Sequence, residues 1–189
     1  MEFRLFYQGK LSTGSDRVEK QRIRRCFHPQ LRTLWNQLPL SGIKDGEAPL
    51  GVSQDPGISQ RALSRPVGTF QFIPLVNKRM HLIVELDIIF LRPQEPGELI
   101  GHAGDIDNRL KILFDALRMP ALDELPKSDA PSDNEKPFHC LLEDDALVTK
   151  VSVLTDRLLE FDSDSDVKLL IHTKIKGVKV TWDNIGIIG

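Results

Sequence analysis

The chain is expected to fold as one α+β domain in which a mixed or antiparallel β-sheet is covered by helices. Three observations predict this class. The 189 residues, of which 40% are hydrophobic, suffice for one domain with a core and are too few for two comfortable ones. Segments with the two-residue period of β-strands are interleaved with segments of helical period. No internal repeat or low-complexity tract breaks this pattern.

A strand followed by a helix is predicted at the start of the chain. Residues 2–8 alternate apolar and polar side chains, which is typical of a short strand. Asp16 and Glu19 have the spacing of a capping box, so a helix should begin there. We expect it to run to about Phe27 and to resume with Pro29 in a first turn.

A long loop and two strands come next. Residues 41–65 are rich in Gly, Pro, Ser and Asp and are interpreted as a loop insertion. Residues 67–76 and 79–91 read as strands, the second of them long and apolar on one face. Because only Asn77 and Lys78 separate these strands, we predict a hairpin.

The second half of the chain should add a helix and two more strands. A Gly- and Pro-rich linker leads into an amphipathic helix that starts at Asp105 and stops before Pro120. Residues 125–138 form a polar second insertion. Residues 146–160 and 166–182 then read as strands. The helix is expected to pack on the sheet that these strands complete.

The cysteines and the N-terminus favour a cytoplasmic protein. Cys26 and Cys140 lie far apart without a CxxC spacing, which indicates neither a disulfide framework nor a zinc knuckle. We expect both to be buried thiols. Residues 1–10 lack a signal peptide, and no run approaches the roughly 20 apolar residues of a membrane helix. No Walker A, GxGxxG or GxSxG pattern supports a nucleotide enzyme or a serine hydrolase.

Charge is distributed unevenly along the chain. The net charge is −2, yet residues 1–38 hold eight Lys or Arg against three acids, and residues 123–145 hold eight acids against two lysines. Arg17, Lys20 and Arg24 share one helical face, with Arg25 beside them. This face is a candidate for contacting a DNA backbone, with a merely solvated helix as the alternative.

The start of the predicted second helix carries the residues that most clearly indicate a chemical function. Asp105 and Asp107 are about 200° apart on a regular helix, so Asp105 is best placed as the N-cap with Asp107 in the first turn. Both carboxylates can then gather at the positive end of the helix dipole. Lys111 follows one turn later and is able to neutralise a phosphate. The alternative is a plain N-cap with an Asp107/Lys111 surface pair.

A second acidic cluster favours a metal site over the plain N-cap. Glu143, Asp144 and Asp145 directly follow an apolar segment and would repel one another without a cation. Mg²⁺ prefers carboxylate oxygens and keeps open positions for water and phosphate. Two such clusters therefore predict a divalent-metal site. Glu85 and Asp87 share a strand face too, but they are expected to pair with Lys174 or Lys176 on a neighbouring strand.

These motifs resemble a known family. The run from Gly104 to Lys111, the segment Phe114-Asp115-Ala116-Leu117 and the downstream Asp144-Asp145-Ala146 are similar to the signature of the RusA family of Holliday-junction resolvases. The likeness covers roughly residues 82–175. This chain departs from the family in a longer segment before the second cluster and in its acidic net charge.

The resemblance implies roles for particular residues. Asp105, Asp107 and Asp145 would hold Mg²⁺, with Mn²⁺ as a substitute, and Lys111 would assist catalysis; Asp144 is the position most easily confused with Asp145. The enzyme would be a homodimer that nicks two strands symmetrically across a junction. Candidate contacts to DNA, taken from the basic helix and the motif, are Arg17, Lys20, Arg24, Arg25 and Arg109.

The expected function is thus a Mg²⁺-dependent, structure-selective endodeoxyribonuclease that resolves Holliday junctions. One alternative is a nuclease of the same fold that acts on forks, flaps or foreign DNA. A second is a catalytically idle dimeric DNA-binding module. The expected partners are branched DNA and a second copy of the chain, with neither a membrane nor a nucleotide cofactor.

Overall fold

Two β-sheets, rather than one, form the framework of the protein. The computed structural model describes residues 1–11, 14, 16–43, 63–95 and 106–188. These residues form an α+β fold. Its strands and α-helices are β1 (Glu2–Lys10), α1 (Arg17–Trp35), β2 (Arg65–Val67), β3 (Phe70–Val76), β4 (Leu82–Arg92), α2 (Ile106–Leu117), β5 (Phe138–Leu142), β6 (Val148–Arg157), β7 (Asp166–Gly177) and α3 (Ile185–Ile188).

The larger sheet has the strand order β1-β7-β4-β6. Strand β7 is antiparallel to both of its neighbours, whereas β6 lies parallel to β4. Apolar residues alternate along β1, β4 and β7, so that one face of this sheet is buried and the other is open. Helices α1 and α2 pack with the buried face into the main core. The predicted α+β class is confirmed, although the single sheet is replaced by two.

The smaller sheet has the order β2-β3-β5, with β3 parallel to β5. Its own aromatic cluster joins Phe70, Phe72 and Phe138. The predicted hairpin between residues 67–76 and 79–91 is wrong, because β3 and β4 belong to different sheets. Six of the seven residues of β3 are buried, which indicates a central strand that is covered on both faces.

The turn between β3 and β4 explains how the chain leaves one sheet for the other. Asn77 is buried, and its side chain accepts a hydrogen bond from the backbone N–H of Met80 at 2.9 Å. The same side chain donates to the carbonyl of Pro74 at 3.2 Å. His81 adopts a positive φ of 51° just before β4 begins. Such a turn redirects the chain, whereas a two-residue hairpin turn would have kept both strands together.

Helix α1 is continuous, contrary to the predicted interruption at Pro29. Asp16 caps it by accepting a hydrogen bond from the N–H of Glu19 at 2.9 Å, which confirms the predicted start. The helix then passes through Pro29, which is exposed. Its buried residues recur at helical spacing on both sides of the proline, so packing on the core outweighs the lost hydrogen bond.

The structure describes one of the two predicted insertions in full and the other only at its two ends. Residues 125–138 are described. They contact α1 through ion pairs of Arg25 with Asp129 and Glu135, and the buried Leu125 packs in the aromatic cluster of the smaller sheet. Of residues 41–65, positions 44–62 lie outside the described part, and β2 begins at Arg65. Cys140 is buried as predicted, whereas Cys26 is only partly buried. Among the described residues, no helix has the length and apolar character that crossing a membrane requires.

Candidate functional site

The start of α2 exposes two of the predicted site residues. Asp107 and Lys111 are both exposed on this helix. Asp107 accepts a hydrogen bond from the N–H of Asn108 at 2.8 Å, and neither Asp107 nor Lys111 forms an ion pair with a described residue. The alternative of a helical Asp107/Lys111 pair is therefore not formed. Asp105 lies outside the described residues, so its predicted N-cap role stays a prediction.

The second acidic cluster is neutralised in part by the protein itself. Lys78 approaches Asp144 to 2.8 Å, and its backbone N–H donates to Glu143 at 2.8 Å. Arg65 lies 3.7 Å from Glu143. The expectation that these acids crowd together without a cation is therefore wrong for two of the three. Asp145 is exposed and pairs with no described cation.

Asp144 has a structural role that separates it from Asp145. Its side chain accepts a hydrogen bond from the N–H of Ala146 at 3.0 Å and caps the short turn that leads into β6. The hydrogen bond from Lys78, and then the one from Ala146, lower the pKa of Asp144 below its usual range. Asp145 is the member of the pair that is exposed and has no ion pair among the described residues.

Within one chain, Asp107 and Asp145 lie at opposite ends of the larger sheet. Asp145 directly precedes β6, whose first residue, Val148, is level with Val84. The opposite end of β4 is Arg92, eight residues or about 26 Å further along.

Helix α2 runs between the same two ends of the sheet, in the direction opposite to β4. Near its first turn, Arg109 donates from Nη2 to the carbonyl of Asp164, at 3.4 Å, in the turn that follows β6. After its last turn, the N–H of Met119 donates to Leu142 at the end of β5, at 2.8 Å. Asp107 therefore lies at the Arg92 end of the sheet, whereas Asp145 lies at the Val84 end. The described carboxylates do not converge in one protomer.

The described residues contain no metal-binding cluster of acids, histidines and cysteines. No three His, Cys, Asp or Glu side chains among them lie close enough together to hold a metal ion. Of the predicted ligands, Asp107 and Asp145 belong to the described residues, and Asp105 does not. A single chain thus presents two separate carboxylate positions.

Arg109 does not fit the predicted contact with DNA. Its side chain is only 5% exposed and lies beneath the start of α2 near Arg92. Burial, reinforced by the charge of Arg92, lowers the pKa of Arg109. Its Nε and Nη1 atoms are buried and have no hydrogen-bond partner among the described residues. The enclosed guanidinium holds the start of α2 against the turn that follows β6. In this conformation it does not reach a phosphate backbone.

The basic face of α1 is also used within the fold. Arg24 is 1% exposed and donates from Nη2 to the carbonyl of Asp115 at 2.6 Å. Lys20 pairs with the carboxylate of Asp115 at 2.7 Å. Arg25 pairs with acids of the 125–138 segment. The charges of these three residues bind α1 to α2 and to the acidic segment, and their predicted contact with DNA stays a prediction.

Exposed cations remain elsewhere. Arg17 stays exposed at the start of α1 and remains a candidate for contacting DNA. On the open face of the larger sheet, Arg4 is exposed and Lys168 and Lys174 are partly exposed. This face was not among the predicted sites, although the alternation of lysine with buried residues along β7 indicates it. The predicted pairing with Lys174 or Lys176 is confirmed for Glu85, which pairs with Lys176, and is wrong for Asp87, which pairs with Lys150 on β6 at 3.3 Å.

A cavity of about 660 Å³ lies away from all of these residues. The end of α1 and the start of the smaller sheet line it, chiefly through Trp35, Ile73 and His139. It contains none of the predicted site residues. Asp107, Lys111 and Asp145 lie on the exposed surface and not in this cavity.

Comparisons with known proteins add no relative. No protein-family model, no curated protein and no solved structure matches the chain. The resemblance to the RusA family therefore depends on the motif residues alone.

Proposed function

We propose that the protein is a Mg²⁺-dependent, structure-selective endodeoxyribonuclease, and that four-way junctions are its preferred substrate. One observation carries the proposal. The fold pairs the acids around the motifs with its own cations, as Asp115, Glu135 and Asp144 show, yet leaves Asp107 and Asp145 exposed and without an ion pair among the described residues. These are the two described positions at which the resemblance requires metal ligands.

Lys111 supports the same proposal. It is exposed one turn after Asp107 and pairs with no described acid, so its ammonium group is available to a phosphate. A lysine that was already paired with a neighbouring carboxylate would be less able to neutralise a phosphate. The separation of Asp107 from Asp145 does not fit a metal site that one protomer completes by itself.

The proposal is tested with purified protein and four labelled DNAs of shared sequence: a four-way junction, a fork, a flap and a linear duplex. In Mg²⁺, paired symmetric nicks in the junction and little cutting of the duplex are expected. Cutting of forks or flaps in preference to junctions would reassign the substrate within the same fold. Equal cutting of linear duplex would remove structure selectivity.

A second candidate is a dimeric DNA-binding or assembly module without catalysis. The distance between Asp107 and Asp145 in one chain favours it, as does the internal use of Lys20, Arg24 and Arg25. Asp107→Asn separates the two functions. A nuclease should lose turnover and keep its DNA binding, because repulsion between the carboxylate and phosphate falls. A module should show no cleavage by wild type in Mg²⁺ or Mn²⁺.

A further inference from the structure

The cavity of about 660 Å³ lies beside the smaller sheet, and none of the motif residues lines it. Its volume is within the range of about 300–1,000 Å³ that is typical of small-molecule sites in proteins. We call it the Trp35 cavity, because Trp35 at the end of α1 lines it together with Ile73 of β3 and His139 of β5. A cavity of this size that the proposed cleavage does not use is a candidate site for a separate ligand.

Neighbouring strands and a ring contact form the apolar wall of the Trp35 cavity. Ile73 is level with His139 on the adjacent strand, and both side chains are buried. The ring centroids of Trp35 and His139 are 5.7 Å apart, and the rings are tilted by 43°. Pro137 extends this wall. Two tilted rings beside aliphatic side chains are a suitable surface for a planar ring, which packs there through offset and edge contacts.

His28 fixes the position of His139 in this wall. The backbone N–H of His139 donates to Nδ1 of His28 at 2.9 Å. Nε2 of His28 lies 2.9 Å from the carbonyl of Asn134, to which it donates. The rings of His28 and His139 stack with their centroids 5.6 Å apart. A wall that is already held in place loses little conformational freedom when a ligand binds.

Two polar atoms of the wall have no hydrogen-bond partner among the described residues. They are Nε1 of Trp35 and Nδ1 of His139, which belong to side chains that are more than nine-tenths buried. The indole N–H of Trp35 can only donate, so it requires an acceptor. Because most buried polar atoms in proteins are paired, these two indicate that a molecule with hydrogen-bonding oxygen or nitrogen atoms completes the wall.

The charges around the cavity favour a negatively charged ligand. Lys136 is the one charged side chain among the described residues that line it. Lys136 pairs with Asp133 at 3.0 Å, but both side chains are largely exposed, and a surface pair of this kind is readily exchanged for a ligand. Burial, and then the neighbouring His28 and Arg32, lower the pKa of His139 to about 4, so its ring is neutral at pH 7.

We propose that the Trp35 cavity binds a small planar aromatic molecule with one negatively charged group, whose ring packs against Trp35 and Ile73 and whose charge lies at Lys136. The negative group also supplies acceptors, which the wall lacks. An aromatic carboxylic acid and a nucleotide share this chemistry. The site is independent of the proposed nuclease function, because it uses none of the motif residues.

Trp35 itself reports on binding. The chain has two tryptophans, Trp35 and Trp182, and Trp182 is 77% exposed. Trp182→Phe therefore leaves Trp35 as the single tryptophan with little effect on the fold. The probe is para-nitrobenzoate, a planar aromatic anion that quenches indole fluorescence, and para-nitrobenzamide is the neutral probe of the same shape. We expect saturable quenching of Trp35, with the carboxylate bound at least about tenfold more tightly than the amide.

Four variants in the Trp182→Phe protein test the charge and the location. Lys136→Gln should weaken binding of para-nitrobenzoate at least about tenfold and leave the amide unaffected. Lys127→Gln removes the same charge at an exposed position outside the cavity and should have no effect. Ser41→Phe, at an exposed position of the lining, should weaken binding of both probes, whereas Ser128→Phe, at an exposed serine elsewhere, should not. Circular dichroism of each variant separates a lost site from lost folding.

Three outcomes would overturn the inference. The first is the absence of saturable quenching by either probe. The second is equal affinity for the carboxylate and the amide, or an affinity for the carboxylate that Lys136→Gln leaves unchanged, since neither result is compatible with a site for an anion. The third is binding that folded Ser41→Phe leaves intact, which would place the probe outside the cavity.

Competition with deoxyadenosine monophosphate distinguishes the two sources of the ligand. Displacement of para-nitrobenzoate by this nucleotide would show that a nucleotide fits the site, and a failure to displace it would restrict the ligand to an aromatic acid. Both results support an aromatic anion, because each requires that para-nitrobenzoate is bound first.

Discussion

Arg25 and Glu135 are joined by a hydrogen bond of 2.7 Å from the guanidinium Nε to a carboxylate oxygen, although 110 residues separate them. Arg25 also donates to Asp129 at 2.8 Å. The basic start of the chain and the acidic segment of residues 123–145 therefore meet in the fold. Part of the charge gradient along the sequence is therefore neutralised within the fold, through the ion pairs of Arg25 with Asp129 and Glu135.

Glu135→Gln should destabilise the protein by about 1–3 kcal/mol, because it weakens a hydrogen bond between charged groups at a largely buried carboxylate. Chemical denaturation at pH 7 measures this loss. Asp133→Asn is the matched control, since the side chain of Asp133 is fully exposed. An equal effect of the two substitutions would contradict a structural role for the Arg25–Glu135 pair.

The Arg25–Glu135 pair also predicts that the stability of the protein decreases at acidic pH. Burial by itself would raise the pKa of Glu135, but hydrogen bonds from Arg25 and from the N–H of Ser132 lower it below its usual range. A lowered carboxyl pKa contributes stability above the ordinary value near 4.5, and this stability is lost as the pH falls through the folded-state pKa. Glu135→Gln should flatten the stability curve below pH 5.

Arg24→Ala should lower the stability of the protein, whereas Arg17→Ala should weaken DNA binding and leave stability nearly unchanged. Arg24 is buried against α2, and burial lowers its pKa to about 10, so its removal leaves backbone carbonyls of α2 unpaired. We expect a loss of about 2–4 kcal/mol. Arg17 is exposed, so Arg17→Ala should leave stability within about 0.5 kcal/mol and weaken DNA binding in low salt.

Thermal unfolding and a salt-dependent DNA-binding titration measure the two variants side by side. Arg24→Ala that keeps full stability would remove the internal role assigned to this arginine. Arg17→Ala that binds junction DNA as tightly as wild type would remove Arg17 from the interface.

His139 should make the protein sensitive to mild acid. Burial, then the neighbouring His28 and Arg32, lower the pKa of His139 from 6.5 to about 4. Between pH 6.5 and about pH 4, His139 is protonated in the unfolded chain and neutral in the folded chain. The free energy of unfolding therefore decreases as the pH falls. The loss between pH 7 and pH 5 should be about 2 kcal/mol. His139→Phe should remove this part of the pH dependence while retaining a ring beside Trp35.

Urea unfolding of both proteins at pH 7 and pH 5 checks the prediction. The comparison depends on the difference between the two pH values for each protein, so a general loss of stability in the variant does not affect it. Identical pH dependence in wild type and His139→Phe would show that His139 is not the responsible group.

Asp144→Asn and Asp145→Asn should separate structure from catalysis. Asp145→Asn should lower Mg²⁺-dependent cleavage by at least about 10²-fold with unchanged stability, because Asp145 is exposed and unpaired among the described residues. Asp144→Asn should keep most of the activity, because it weakens only the cap and the contact with Lys78. Single-turnover cleavage rates measure both. The reverse ranking would move the ligand role to Asp144.

Local patterns predicted much of this fold. The capped start of α1, the amphipathic α2 and the alternating strands all follow from spacing that the sequence displays. The assignment of β3 and β4 to different sheets did not follow, because pairing between strands is a long-range property. The same limit applies to Pro29, where packing on the core outweighs a local signal.

The motifs named the candidate site residues, but they did not predict the placement of these residues relative to one another. Asp107, Lys111 and Asp145 were identified by motif, and all three are exposed. Their relative placement depends on the direction in which α2 and β6 cross the sheet, which no local pattern encodes. The use of Arg24 and Arg25 inside the fold was hidden for the same reason, since their partners lie about one hundred residues away.

The central claim is that exposed carboxylates of this chain support metal-dependent cutting of branched DNA. The most direct measurement is Mg²⁺-dependent nicking of a labelled four-way junction by wild type and by Asp107→Asn at matched DNA occupancy. We expect symmetric nicks from wild type and at least about a 10²-fold slower reaction from the variant, with junction binding retained. Wild type that binds the junction but does not cut it in Mg²⁺ or Mn²⁺ would contradict the claim.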